Sequence, residues 1–236
     1  LMEVQTQIMS PKHGLNVIGC IEDSVTGNYL LTQEGIELDK EDAIRMLVSI
    51  GVKNSKKFAN FKKKVTGKQV FSAVLPETFN FVYEDVIVKK GQLISGQISP
   101  KTIGEGNGTL LRDIHRQSSQ SESVDLFGKI FKLGIVYLLR RGFTIRTSDA
   151  DIPEDVQAKA KKTIKNAING VNEVISDYKS GKLKKFSGKT EEETLELLAM
   201  QKLNETRNIV GKLISSSVSE ENNAIIMSRA GKGNIL

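Results

Sequence analysis

Two long amphipathic segments in the second half of the chain constrain its fold more than any other feature. Between residues 156 and 178, apolar side chains recur every three or four positions, which is the spacing of one helix face. Pro153 suits the first turn of that helix. Thr190 and Glu193 predict a capping box that begins a second helix, whose apolar stripe continues to Leu213.

Glycine and lysine residues fill the short connection between these segments, residues 180–189. Two long helices joined by a short turn most simply pack antiparallel. The sequence therefore predicts a helical hairpin in which Ile168 and Leu203 are buried in the facing stripes, while Asn172 lies off the stripe.

The first half of the chain has a different pattern, with short segments and frequent turns. Alternating apolar residues between Phe71 and Ser99 predict two or three short strands with a Lys90-Gly91 hairpin turn. Helical spacing and helix-end signals predict three helices among irregular segments. The helices cover 40–50, 109–117 and 122–142, and the irregular segments are 12–32 and 118–123.

These patterns together predict the α+β class. The expected domains are a mixed helix and short-strand domain over residues 1–147 and a helical hairpin domain over residues 148–236. No internal repeat is present. The chain begins at Leu1 rather than Met, so we expect it to be a piece of a longer polypeptide.

Composition excludes several classes of protein. With 236 residues, of which 39% are hydrophobic, the chain can bury a core, and this excludes disorder throughout. No apolar run approaches the roughly 20 residues that span a bilayer, so no contact with a membrane is expected. Cys20 is the single cysteine and cannot form an internal disulfide, which favours the reducing cytoplasm.

The residues that usually carry catalysis or bind metals are sparse. His13 and His115 lie among polar residues and are interpreted as surface histidines, and together with Cys20 they are too few for a Cys/His zinc site. The glycine-rich stretch 104–108 lacks the lysine and hydroxyl of a P-loop, so a flexible loop is favoured over a phosphate cradle. The sequence therefore predicts no catalytic residue and no metal site.

A basic segment, residues 53–68, is the strongest local candidate for contact with a polyanion. Its lysines surround Phe58 and Phe61, a combination compatible with phosphate contacts and base stacking. The favoured interpretation is a solvated surface segment whose two phenylalanines pack into the core. The formal net charge of +6 permits a polyanionic partner without requiring one.

Taken in order, several short motifs resemble one known family. They are Ile8–Pro11, Ile18–Thr32, Thr66–Gln69, Leu93–Gly96, Lys101–Gly104, Arg141–Thr144, Glu193–Leu195, Asn204–Arg207 and Ser228–Gly233. The first six resemble the pore region of the largest subunit of multisubunit DNA-directed RNA polymerase, and the last three resemble the funnel region that follows it. The short link in the funnel resembles the archaeal A-prime subunit most.

The resemblance implies a role in transcription without a catalytic centre in this chain. In that family, the aspartate-rich loop that binds magnesium lies upstream of the matched region, and the bridge helix and trigger loop lie downstream. The chain would then line the secondary channel, through which nucleotides enter and a backtracked RNA 3′ end leaves. In isolation it would be inactive and would bind no cofactor.

The resemblance also implies partners and site residues. The partners are the other polymerase subunits, the rest of the largest subunit, nucleoside triphosphates, RNA, template DNA and a transcript-cleavage factor at the funnel. The family's basic channel residues correspond here to Lys101, Arg207 and Lys232. Pro100 stands where many relatives have a further lysine, which implies a weaker channel charge.

Two other classes of function remain open from the sequence alone. One is a free-standing RNA-binding module that uses the basic segment 53–68, and the other is a helical-hairpin interaction protein built on residues 150–218. A reading frame that continued upstream into an aspartate-rich loop and downstream into a long helix would support the polymerase interpretation alone.

Overall fold

A computed structural model of the chain describes residues 3–53 and 56–232, and these form two compact units. The first unit runs up to Thr144 and resumes at Ile226, and the second comprises Ile145–Ile225. The first mixes helices with short strands and the second is a pair of long helices, so the predicted α+β class is confirmed. The predicted domain boundaries, 1–147 and 148–236, stay a prediction.

The first unit contains two small antiparallel sheets among its helices. The helices are α1 (Asp23–Leu31), α2 (Lys40–Ser49), α3 (Lys56–Ala59), α4 (Gly67–Ser72), α5 (Pro100–Ile103), α6 (Thr109–Gln117) and α7 (Gln120–Arg141), after a 3-10 turn at Val4–Thr6. The strands are β1 (Glu37–Asp39), β2 (Lys64–Thr66), β3 (Phe81–Tyr83), β4 (Val86–Lys89) and β5 (Gln92–Ser95). One sheet pairs β1 with β2, and the other has the order β3-β4-β5.

Local sequence signals explain most of these elements. The predicted helices over 40–50 and 109–117 are confirmed, as are the short strands between Phe71 and Ser99. Lys90 and Gly91 connect β4 to β5 with φ angles of 48° and 71°. Positive φ at both central residues is what a two-residue hairpin of this twist requires.

Residues 12–32 are not irregular throughout, and in this respect the prediction was wrong, since α1 lies within them. Ser24, Thr26 and Asn28 of α1 are buried, although they are polar. The Ser24 and Thr26 hydroxyls donate to the carbonyl oxygens of the two residues before the helix, Ile21 and Glu22. The Asn28 amide donates within the helix and to the neighbouring α7. Because α1 is covered on nearly every side by other elements, it has no single apolar stripe by which the sequence would reveal it.

Glycines allow α1 and α7 to cross closely. A Cβ built at Gly27 would lie 2.0 Å from the Gly134 carbonyl oxygen, and one at Gly134 would lie 2.1 Å from the Ser24 carbonyl oxygen. Beside this crossing, Asn28 Nδ2 donates to the Ile130 carbonyl oxygen at 2.9 Å. At this point in the core of the first unit, the backbones of α1 and α7 are therefore in direct contact.

The segment 118–123 was also predicted wrongly as a loop, because α7 already begins at Gln120. The Ser119 hydroxyl accepts a hydrogen bond from the Glu122 N–H at 3.3 Å, and Glu122 Oε2 accepts one from the Ser119 N–H at 3.0 Å. This reciprocal pair is a capping box, a signal that the sequence contained.

The second unit is dominated by α8 (Glu154–Lys179) and α9 (Glu191–Ser217), which follow a short 3-10 turn at Thr147–Ala150. The chain then enters α10 (Asn223–Arg229). Pro153 immediately precedes α8 rather than lying in its first turn. The predicted capping box at the start of α9 is confirmed, since the Thr190 hydroxyl accepts from the Glu193 N–H at 3.2 Å.

Pairs of residues along α8 and α9 show that the helices are antiparallel. Tyr178 near the end of α8 lies opposite Glu192 at the start of α9, with their side-chain oxygens 3.5 Å apart. Further from the turn, a Cβ at Gly170 would lie 3.0 Å from Lys202 Nζ. The predicted hairpin is therefore confirmed.

The predicted stripes of the hairpin are right at some positions and wrong at others. Ile168 is 50% exposed and Leu203 is 45% exposed, so the prediction that both are buried was wrong. Val174 and Val210, which also lie in the predicted stripes, are buried. The contact between α8 and α9 is called the seam. Several of its positions on α8 that are at least half-buried carry small side chains, namely Ala160, Thr163, Ala167 and Gly170. Close packing of small residues therefore leaves the larger apolar side chains at the edge of the contact.

Candidate functional site

Lys101 lies in the first turn of α5, beside the turn between β3 and β4. The Thr102 hydroxyl accepts a hydrogen bond from the Ser99 N–H at 2.9 Å, which fixes the start of α5. Lys101 Nζ donates to Glu84 Oε1 at 3.0 Å and lies 3.3 Å from Oε2. This hydrogen bond and the charge of the carboxylate raise the pKa of Lys101. The ammonium group is therefore charged at neutral pH and forms an ion pair with Glu84.

Lys232 follows the C-terminal end of α10. Gly231 adopts a φ of 74°, and the N–H groups of Gly231 and Lys232 donate to the carbonyl oxygens of Ser228 and Met227, each at 3.0 Å. Glycine is the residue that best adopts this helix-ending conformation. Lys232 Nζ pairs with Asp23 Oδ1, at the first residue of α1. The second channel candidate therefore also has a carboxylate partner.

The segments that carry Lys101 and Lys232 are in contact. A Cβ at Gly231 would lie 2.7 Å from Pro100 Cγ, so a larger residue at this position would separate the two segments. The structure thus brings two of the three predicted channel residues onto neighbouring segments of the first unit. Arg207, the third, is exposed on α9 and belongs to the second unit.

Comparison with known families identifies the setting of these residues. The family sequence model described as RNA polymerase Rpb1, domain 3, matches residues 7–150. The chain belongs to the RNA polymerase Rpb1 family. A second model, RNA polymerase Rpb1, domain 4, matches residues 175–236. The Rpb1 match therefore extends over both compact units.

Individual relatives support the same assignment. DNA-directed RNA polymerase subunit Rpo1N of Methanothermobacter thermautotrophicus is 32% identical over 257 residues, covering all of this chain and 29% of the relative. The Thermococcus celer subunit Rpo1N is 31% identical over 277 residues, which is 31% of its length, and that of Halobacterium salinarum is 28% identical over 246 residues, 25% of its length. The chain thus spans less than a third of these relatives. The predicted resemblance to the polymerase largest subunit, with archaeal relatives, is confirmed.

Potential metal ligands are scattered in the described part of this Rpb1 chain. Across residues 3–53 and 56–232, no three His, Cys, Asp or Glu residues group as metal ligands would. Burial raises the pKa of the Cys20 thiol to about 12, which keeps it protonated at neutral pH. Within the same residues, no helix has both the length and the apolar character to cross a membrane.

The glycine-rich stretch 104–108 is a turn held by the buried side chain of Asn16. Asn16 Nδ2 donates to the Gly104 carbonyl oxygen, and its Oδ1 accepts from the Gly108 N–H, each at 2.9 Å. The Gly106 N–H donates to the Asn16 carbonyl oxygen at 3.0 Å. Because these amides are already used, they are not available to bind a phosphate.

Several residues of the basic segment 53–68 make structural contacts, and residues 54 and 55 lie outside the described part of the chain. Lys57 Nζ donates to the carbonyl oxygens of Ala73 and Leu75 at 2.9 and 2.6 Å. Its burial lowers the pKa of this ammonium group. Both phenylalanines of the segment pack against the core. Further ion pairs join Lys64 to Asp39 and Lys68 to Glu34. These contacts favour the surface-segment interpretation over an RNA-binding module.

Glu84 and Asp23 are the site residues that sequence reasoning missed. Neither residue was assigned a role at the site from the sequence. Glu84 is 17 residues from Lys101, and Asp23 is 209 residues from Lys232. Helical and strand periodicities report neighbours within a few residues, so no local signal identifies such pairs.

Proposed function

We propose that this chain forms part of the wall of a channel in DNA-directed RNA polymerase, through which nucleoside triphosphates enter and a backtracked RNA 3′ end leaves. Membership of the Rpb1 family supports the polymerase setting. The contact between the segments that carry Lys101 and Lys232 is the observation that carries the proposal. A few cations along a water-filled passage raise the local concentration of polyanions without holding them tightly.

Removing either lysine tests this proposal in a polymerase reconstituted with the altered chain in its largest subunit. We expect Lys101→Ala and Lys232→Ala to raise the apparent nucleotide KM or shorten the lifetime of backtracked complexes by about twofold to fivefold at low salt. Arg207→Ala should act in the same direction. Each effect should shrink as ionic strength rises, because salt screens exposed charges.

Lys12→Ala provides a matched control, since Lys12 is exposed in the first unit and its loss removes the same charge. If all the channel variants behaved like Lys12→Ala and like the unaltered enzyme, the assignment of a channel wall to these residues would be refuted.

The chain is proposed to supply no catalytic group of its own. The rest of the largest subunit, the other polymerase subunits and the template DNA would complete the enzyme, which acts in the cytoplasm. Purified chain incubated with magnesium, a primed template and nucleoside triphosphates should therefore extend no primer. Template-dependent extension by the purified chain would contradict this proposal.

The hairpin is proposed as the docking surface of a transcript-cleavage factor. Near its turn, Phe186, Leu197 and Met200 line an open groove of about 610 Å³, and all three are substantially exposed. Lys189 and Glu193 contribute charge to its edge. Apolar side chains bordered by charged ones are typical of protein interfaces.

An acidic substitution in this groove separates docking from catalysis. Met200→Asp should reduce factor-stimulated RNA cleavage in the reconstituted polymerase, while elongation without the factor stays unchanged. Asn172→Asp is the control, because Asn172 is exposed on α8 and does not line the groove. Full stimulation of Met200→Asp would exclude this docking surface.

A further inference from the structure

The two lysines of the proposed channel wall present little net charge in the structure. Lys101 is paired with Glu84, and Lys232 is paired with Asp23. An ammonium group beside a carboxylate attracts a distant anion far less than an isolated ammonium group does, because the two charges cancel at a distance. The carboxylates therefore determine how strongly the wall attracts polyanions.

Each carboxylate lies at, or directly after, a residue with a positive φ angle. Glu84 itself has a φ of 49°, and Glu22, which immediately precedes Asp23, has a φ of 46°. Positive φ is uncommon and strained for residues other than glycine. Glycine or asparagine would fit the Glu84 turn with less strain, so the turn retains a carboxylate where its backbone favours another residue.

The surroundings of the two pairs differ in one respect. The Lys101 side chain is 61% exposed, whereas that of Lys232 is 29% exposed. Lys232 and Asp23 border a small cleft of about 270 Å³ with the apolar residues Leu138 and Phe143. Water screens the Lys101 pair more strongly, so its carboxylate can be removed with less consequence for folding.

We propose that Glu84 and Asp23 are positioning residues that weaken the anion attraction of the channel wall by holding Lys101 and Lys232 in ion pairs. This inference rests on the proposed channel function. Weak attraction suits a passage, because a nucleotide or an RNA end held tightly at the wall would leave slowly. The lysines supply the attraction, and the carboxylates limit its strength.

The inference predicts a gain rather than a loss when a carboxylate is removed. Lysine remains protonated at neutral pH even without its partner, so Glu84→Gln adds one net positive charge at Lys101. In reconstituted polymerase at low salt, Glu84→Gln should lower the apparent nucleotide KM by about twofold to threefold with kcat unchanged. Lys101→Ala should change KM in the opposite direction. Asp23→Asn should act as Glu84→Gln does, through Lys232.

Two further variants separate the ion pair from a general change in charge. Asp85→Asn removes an exposed charge from the same turn. Asp85 makes no salt bridge with Lys101 and its charge acts on Lys101 less than that of Glu84, so this variant should lower KM less. In a chain that also carries Lys101→Ala, Glu84→Gln should lose most of its effect. Raising the salt concentration should abolish the remaining difference.

The outcomes distinguish this inference from the function on which it rests. If Lys101→Ala alters KM but Glu84→Gln and Asp23→Asn do not, the attenuating role is overturned and the channel assignment stands. If the carboxylate variants raise KM or lower kcat, their role is structural and the inference is also overturned. If neither the lysine nor the carboxylate variants change KM or backtracking, both proposals fail.

Discussion

The two compact units hold their helices together in different ways. In the first unit, α1 and α7 cross at Gly27 and Gly134, and large side chains such as Phe71 and Leu30 are fully buried around them. In the second unit, α8 and α9 meet along alanine, threonine and glycine, and Ile168 remains half-exposed. The first unit is therefore a packed core, and the second is a thin seam between two long helices.

This difference shows what an apolar stripe does and does not specify. A buried Leu or Phe side chain contributes about 1.5–3 kcal/mol, whereas small seam residues contribute much less. The hairpin has long helices but few large buried side chains, so its stability per residue should be lower than that of the first unit. Helix length and interior packing are thus independent properties in this chain.

The largest effect is expected where the first unit has least space. Gly27→Ala should destabilise the first unit by about 3 kcal/mol or more, because the new Cβ would meet the Gly134 carbonyl oxygen. Denaturant unfolding followed by circular dichroism measures the change. Gly128→Ala in α7 meets nothing within 4 Å and should be neutral or stabilising by up to about 1 kcal/mol. Equal midpoints for the two variants would show that the crossing of α1 and α7 does not require glycine at position 27.

A smaller effect is expected within the hairpin seam. Val174→Lys places a charge at a buried position and should cost about 2–3 kcal/mol, whereas Ile168→Lys should cost less than about 1 kcal/mol because that side chain already reaches water. Thermal unfolding of both variants tests which positions of the stripe the contact between α8 and α9 covers. A larger loss for Ile168→Lys would restore the prediction that Ile168 is buried.

The smallest effect concerns the two capping boxes, one in each unit. Hydrogen bonds from Ser119 and Thr190 lower the pKa of Glu122 and Glu193 from the ordinary value of 4.5. Their stabilisation is therefore fully present above pH 4.5 and is lost as the pH falls through the lower folded pKa. The helix ends should fray only in this acid range.

Hydrogen exchange, corrected for intrinsic rates, compares the two caps between pH 6 and pH 3. Protection at the start of α9 should fall more than at the start of α7, because Leu126 and Phe127 in the second turn of α7 are buried in the core of the first unit, whereas Leu197 in the second turn of α9 is exposed. Glu193→Gln keeps a side-chain acceptor but cannot titrate, so it should flatten the acid dependence of α9. Equal loss at both caps would show that core packing does not protect α7.

Local signals were sufficient wherever an element depends on its own residues. The Thr190 capping box, the Lys90-Gly91 turn and the helix over 109–117 follow from interactions within a few positions. The same rule applied to Ser119 and Glu122 would have placed the start of α7 correctly. That error was an overlooked signal rather than an absent one.

Other features depended on residues far apart in the chain. The Asn28 side chain can be buried because its amide donates a hydrogen bond to the Ile130 carbonyl oxygen, 102 residues away. Without that contact, the polar residues of α1 resemble those of a loop. The coverage of individual stripe positions in the hairpin likewise depends on which small residues of α8 meet α9, since close approach leaves Ile168 outside the seam.

The sequence by itself determined the family, the α+β class and the long helical hairpin, and it proposed three basic residues of a channel. These rest on ordered motifs, on helical periodicity and on caps, all of which act over a few residues. Only the tertiary structure decided that α1 is a buried helix, which apolar residues the hairpin covers, and that Glu84 and Asp23 neutralise Lys101 and Lys232. The physical reason is that burial and charge pairing depend on distance in space, which the separation of residues along the chain does not report.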